Sequence, residues 1–182
     1  MRVEGYAVIS EDGMIADASG MLPPQLVADA DQRFFEQGLN GVDAVVHGRH
    51  SGEHHPNSSM RYRVIVSRSI AAVAPDPANT RAVLWNPVGA TFEDAVAALN
   101  VPIRSAAILG GTDVFGRFLD RYAVFFLSRI AGVRLPGGRP VFPHIPDKTP
   151  EAVLAAHGLH DKGSELTDPR ARLIISRWER MA

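Results

Sequence analysis

The sequence has no cysteine, and its only lysines are Lys148 and Lys162. The first absence excludes disulfides, a thiol nucleophile and a thiolate zinc site. The second leaves nearly all positive charge on arginine, whose planar guanidinium suits phosphate and carboxylate groups. Net charge is also missing: the formal sum is -1 over 182 residues, so a broad nucleic-acid surface is not indicated. No apolar run approaches the roughly 20 residues of a membrane-spanning helix. The opening MRVEGYAVIS reads as a strand rather than a leader. The expectation is a cytoplasmic protein without membrane or nucleic-acid partners. Hydrophobic residues make up 46% of the chain, enough for one packed domain over 1–182.

What is present centres on AAILGGTDVFGRFL, residues 106–119. Ser105 to Leu109 read as a buried strand, and Gly110 and Gly111 turn it. Thr112 is placed to cap a helix whose apolar residues Val114, Phe115, Phe118 and Leu119 recur at helical spacing. A strand ending in bare glycine backbone and feeding a helix offers N–H groups and a positive dipole end to an anion. The spacing differs from the G-x-G-x-x-G of dinucleotide folds, and a tight turn needs glycine in any case. Two other strands end in a similar way. GVDAVVHGRHS runs through Ala44 to Val46 into Gly48, Arg49, His50 and Ser51, and RVIVSRS ends in Ser67, Arg68 and Ser69. In parallel α/β sheets ligands bind at the carboxyl ends of strands. Arg49 and Arg68 together suit a phosphate.

The remaining stretches supply the frame. Asp17 to Pro24 is a loop of turn-forming residues, a candidate lid. Leu26 to Gln37 reads as a helix with Asp31 and Phe35 on one face. Ile70 to Asn79 reads as a loop. Thr91 to Asn100 reads as a helix with Thr91 and Asp94 at capping-box spacing. AVFFLSRI, residues 123–130, is a buried strand with one hydroxyl, Ser128. Leu135 to Pro143 reads as a rigid loop. Residues 152–157 and 172–180 read as extended, an antiparallel hairpin at the sheet edge. The sum is about eight strands and four helices. His47, His50, His54 and His55 cluster, as do His157 and His160, but their spacing matches no zinc motif, so no metal is expected. Ser51 with His50 or His54 lacks the G-x-S-x-G elbow of a nucleophilic serine.

Taken in order, SEDGMIADASG (residues 10–20), GVDAVVHGRHS, ILGGTDVFGRFL and LPGGRPVFP resemble the motifs of the dihydrofolate reductase superfamily. They are most similar to those of its riboflavin-biosynthesis reductase branch, which reduces a ribosylaminopyrimidine phosphate with NADPH. The resemblance spans nearly the whole chain. It implies an α/β fold, dihydrofolate-reductase-like, with a mostly parallel central sheet, flanking helices and an antiparallel C-terminal edge. It implies NADPH as cofactor, held by Val8, Ile15, Gly48, Arg49, His50, Ser51, Ser67, Arg68, Ser69, Leu109, Gly110, Gly111, Thr112, Asp113, Val114 and Phe115. Gly110 and Gly111 match paired glycines that in the family flank a cis peptide. Asp31 falls near the family's substrate carboxylate and Ser128 on the hydroxyl that contacts it, which makes these two the catalytic candidates. Asp29, Phe35 and Arg61 are the substrate candidates, Asp29 as the alternative proton donor and Arg61 where the folate tail binds.

The resemblance also implies a homodimer and a pyrimidine or pterin substrate. Two residues depart from the family: Pro24 stands where dihydrofolate reductases carry Trp, and Phe115 where Tyr is usual. No H-x-E or P-C-x-x-C motif is present, which excludes deamination by this sequence. The leading expectation is reduction of a ribosylaminopyrimidine-like compound. The alternatives are dihydrofolate or dihydropterin reduction, and a nucleotide-binding module without turnover.

Overall fold

The computed structural model describes residues 1–51 and 57–181. Six strands form the parallel part of one sheet: β1 (Arg2–Ile9), β3 (Ala44–Gly48), β4 (Tyr62–Val66), β6 (Ala82–Trp85), β7 (Ser105–Gly110) and β8 (Val124–Ile130). Three more strands join the edges through antiparallel pairings. β5 (Val73–Pro75) pairs with β6, β11 (Leu173–Arg180) pairs with β8, and β10 (Leu159–Asp168) pairs with β11. The order across the sheet is β10-β11-β8-β1-β7-β3-β4-β6-β5. Both faces of the central strands are covered, which explains why they read as apolar runs such as Ala44–Val46 and Ala106–Ile108, all buried. β2 (Met14–Ala16) and β9 (Arg139–Pro140) form a separate two-stranded pair.

Among the described residues four α-helices flank the sheet: α1 (Asp29–Asn40), α2 (Phe92–Ala97), α3 (Thr112–Arg117) and α4 (Pro150–Ala156). On one face Trp85, Phe92, Phe118, Phe125 and Phe142 belong to a single core cluster. On the other, Tyr6, Val45 and Ala107 of the sheet cluster with Leu39 of α1. That helix comes very close to the sheet at Gly38, where a Cβ would stand 2.5 Å from the Tyr6 hydroxyl oxygen. Among the described residues no helix is long and apolar enough to cross a membrane.

Several local expectations are corrected. Residues 152–157 are not extended. Thr149 accepts a hydrogen bond from the Ala152 N–H and Pro150 opens the first turn, so α4 forms and buries Val153 and Leu154. The hairpin partner of β11 is instead β10. The helix expected at Leu26 starts at Asp29, because Pro24 first sets a 3-10 turn over Pro24–Leu26. Thr112 does not cap α3: Gly111 occupies the cap, and the Thr112 hydroxyl donates to the Pro140 carbonyl. The stretch 70–79 contains edge strand β5, and the loop 135–143 contains β9. The reciprocal capping box of Thr91 and Asp94 is present at α2.

Candidate active site

At the ends of β3 and β7 the backbone is nearly bare. Gly110 sits at φ 100°, and a Cβ there would lie 2.6 Å from a ring carbon of Phe115, so only glycine fits. The Gly110–Gly111 peptide is cis. A Cβ on Gly48 would stand 3.7 Å from the Gly110 carbonyl oxygen and from the Gly111 nitrogen. The Ser51 hydroxyl closes this cradle, 3.4 Å from the Cβ position of Gly111, and Ile15 approaches from β2. The turn that brings Ser51 there is held by its N–H on the Gly48 carbonyl at 3.0 Å.

The end of β4 is built from hydroxyls and guanidinium groups. Ser67 is buried, its hydroxyl lies 2.8 Å from that of Ser69, and it accepts from Arg49 at 3.0 Å. Arg68 instead reaches Asp113 on α3 at 2.8 Å, with 86% and 75% of the two side chains exposed. The two arginines thus have different partners and are not a preformed clamp.

Between these strand ends and α1 lies a cleft of about 640 Å³. Strand alternation makes its floor. Tyr6 and Val8 of β1 pair in register with Phe126 and Ser128 of β8, two residues apart on each strand, so all four share one face. From α1, Asp31, Phe34 and Phe35 line the opposite wall. Tyr6 and Phe126 stack with centroids 5.0 Å apart, and Phe34 meets Phe126 edge-on at 5.1 Å. Gly20, Met21, Leu22 and Val27 line the side formed by the 17–27 segment. There the Asp17 carboxylate accepts from the N–H groups of Ser19 and Met21 at 2.9 and 3.0 Å.

Burial pushes the Asp31 carboxyl above the ordinary carboxylate range, and the hydrogen bond with Ser128 opposes the shift without cancelling it. A carboxyl in this state can hold a proton or share one with a basic ring nitrogen. The Tyr6 hydroxyl is pushed up by burial and by its bond to Glu4, so it stays protonated.

Of the residues expected at a site, Asp31, Ser128, Phe35, Val8, Ile15, His50, Ser51, Leu109, Gly111 and Phe115 line this cleft. Gly48 and Gly110 border its cradle. Val114 is buried in the main core. Asp29 is exposed at the start of α1 and does not line the cleft. Arg61 also lies outside the lining: it donates to the Leu39 carbonyl at 2.8 Å and to Asn40 Oδ1 at 3.0 Å, at the far end of α1. His54 and His55 fall outside the described residues. No group of three or more metal-ligating side chains converges among the described residues. Sequence reasoning missed Tyr6, Phe34 and Phe126. Their signal was the alternation within β1 and β8, which is equally the signal of a core.

No protein-family model matches the chain, and no curated protein matches it by sequence. Solved structures do match in shape. A protein described as belonging to riboflavin biosynthesis, from Shewanella sp. PV-4, superposes with TM-score 0.68 at 21% identity over 100% of both chains. Dihydrofolate reductase from Enterococcus faecalis, solved with NADP(H), gives 0.66 at 16% over 100% of this chain and 97% of that one. A diaminohydroxyphosphoribosylaminopyrimidine deaminase/5-amino-6-(5-phosphoribosylamino)uracil reductase from Thermotoga maritima gives 0.67 at 18%, over 99% of this chain and 56% of that one. These likenesses show the fold: the chain has the dihydrofolate-reductase architecture.

Proposed function

We propose that residues 1–182 form one NADPH-dependent reductase domain that reduces a nitrogen heterocycle of the ribosylaminopyrimidine-like or pterin class. The observation that carries the reading is one cleft with a shielded carboxyl at one end, Asp31 against Ser128, and a bare-backbone cradle at the other. The residues present fit a dinucleotide phosphate chain. Gly48, Gly111 and Ser51 leave room and donors, and Ser67, Ser69 and Arg68 offer hydroxyls and a guanidinium for the additional phosphate of NADPH. That cofactor, when bound, supplies hydride.

The chain's own contribution is orientation and protonation. Asp31 would hydrogen-bond the ring's amidine nitrogens, and a proton held there favours the reducible form. General acid help of this kind contributes about 10²–10⁴-fold. Ser128 positions the carboxyl. The apolar floor excludes water from the transfer path. Dihydrofolate is the second reading, favoured by the Asp31–Ser128 pair and opposed by the placement of Arg61 beside Leu39 rather than in the cleft. A homodimer and a cytoplasmic location belong to the same proposal, and a monomeric mass in sedimentation would remove the dimer.

The test follows NADPH absorbance with candidate aminopyrimidines and dihydropterins. The reading predicts saturable oxidation by at least one heterocycle, slowed by about 10²–10⁴-fold in Asp31→Asn. Tight NADPH binding with no oxidation by any member of the panel would replace it with the non-catalytic module.

A further inference from the structure

We infer that the group carried on the substrate's ring is neutral and presents an apolar aryl or alkyl face, so that a terminal phosphate or carboxylate is selected against. The inference rests on the reductase reading and concerns the half of the same cleft beyond Asp31. Among the described lining residues, Asp31 carries the formal charge and neither arginine nor lysine is present. The guanidinium nearest the floor, that of Arg177 beside Phe126 in the sheet, is engaged by Glu179 and Glu165, and Arg33 of α1 is exposed outside the lining. Arg61 donates to the Leu39 carbonyl at the far end of α1. Arg139 stands at the rim, its Nε 3.9 Å from where a Cβ of exposed Gly20 would be, and is not among the lining residues. His50 follows β3, which β7 separates from the β1 and β8 floor.

What replaces the cations is aromatic and aliphatic. Tyr6, Phe34, Phe35 and Phe126 form a connected ring cluster, with Tyr6 and Phe35 centroids 5.9 Å apart. Toward solvent the lining continues as Met21, Leu22 and Val27, which are 67%, 51% and 45% exposed. An apolar substituent would cover these side chains and remove their surface from water. A phosphate in the same place would lose its hydration without gaining a guanidinium from the described lining residues. Phosphoribosylated pyrimidines and glutamyl-tailed pterins both carry such a group.

The test uses the full chain saturated with NADPH and two matched pairs of ligands. One pair is a phenyl-substituted dihydropterin against dihydrofolate. The other is a ribosylaminopyrimidine against its 5′-phosphate. Calorimetric titration is expected to show the neutral member binding at least about tenfold tighter in each pair. Placing a cation at the partly exposed entrance, Val27→Arg, is expected to close that gap by raising the affinity of the anionic members. Equal or tighter binding of the anionic members to the unmodified chain would overturn the inference and leave the reductase reading standing. Failure of all four compounds to bind would overturn both.

Discussion

At the ends of β3, β4 and β7 glycines and serines stand beside two exposed arginines, Arg49 and Arg68. Between α1 and the sheet the side chains are aromatic, with Tyr6 buried and Phe34, Phe35 and Phe126 half-buried, around one carboxyl. The strand ends and the cleft under α1 therefore treat charge differently. The strand ends stay close to water, so an ion there keeps its hydration until a ligand arrives, and the Arg68–Asp113 pair is worth little to stability. The floor under α1 removes water, so a carboxylate there costs free energy unless it is protonated or given a cationic partner. A cofactor with several phosphates matches the first environment. A weakly basic ring matches the second.

The largest expected effect breaks the buried end. Asp31→Asn should lower kcat/KM by about 10²–10⁴-fold in steady-state NADPH oxidation. The same change should raise Tm at neutral pH. Asp31 binds its proton more tightly folded than unfolded, so its contribution to stability is full below the unfolded pKa and is lost as pH rises through the raised folded value. The Tm gain of Asp31→Asn should shrink as pH falls below the carboxylate range, which calorimetry over pH can read.

Next is the cradle. Gly110→Ala places a methyl 2.6 Å from the Phe115 ring at φ 100°, and should cost about 2–5 kcal/mol in urea unfolding. Ser128→Ala should leave the fold intact, lower kcat/KM by about tenfold and move the alkaline limb of the rate profile upward, because a carboxyl without its hydroxyl donor holds its proton more firmly. The smallest structural effect is at the exposed end. Asp113→Asn should shift Tm by no more than about 2 °C. It should still tighten NADPH relative to NADH in a fluorescence titration, since it removes the acidic partner of Arg68.

The contrast also explains what could be read from the sequence. The strand ends announce themselves locally: Gly48 to Ser51, Ser67 to Ser69 and Gly110–Gly111 combine turn residues with donors within a few positions. The parallel core strands were equally plain as apolar runs. The buried end has no local signature. Asp31 and Ser128 meet only because β8 lies beside β1 and α1 crosses above them, a long-range outcome no short window contains. Phe34 and Phe126 carry the pattern of any core residue. Arg61 was placed by likeness to the family, and its actual partners at the end of α1 depend on how the 57–61 turn meets that helix. The helix at 150–156 was missed because the Thr149-Pro150 start signal was outweighed by the extended look of the following residues.

The central claim is that the strand ends hold a phosphorylated nicotinamide dinucleotide. The most direct measurement is an equilibrium titration of NADPH and of NADH against the unmodified chain and Arg68→Ala. The account predicts saturable binding, tighter for NADPH, with the preference erased in the variant. Absence of binding by either dinucleotide would contradict it.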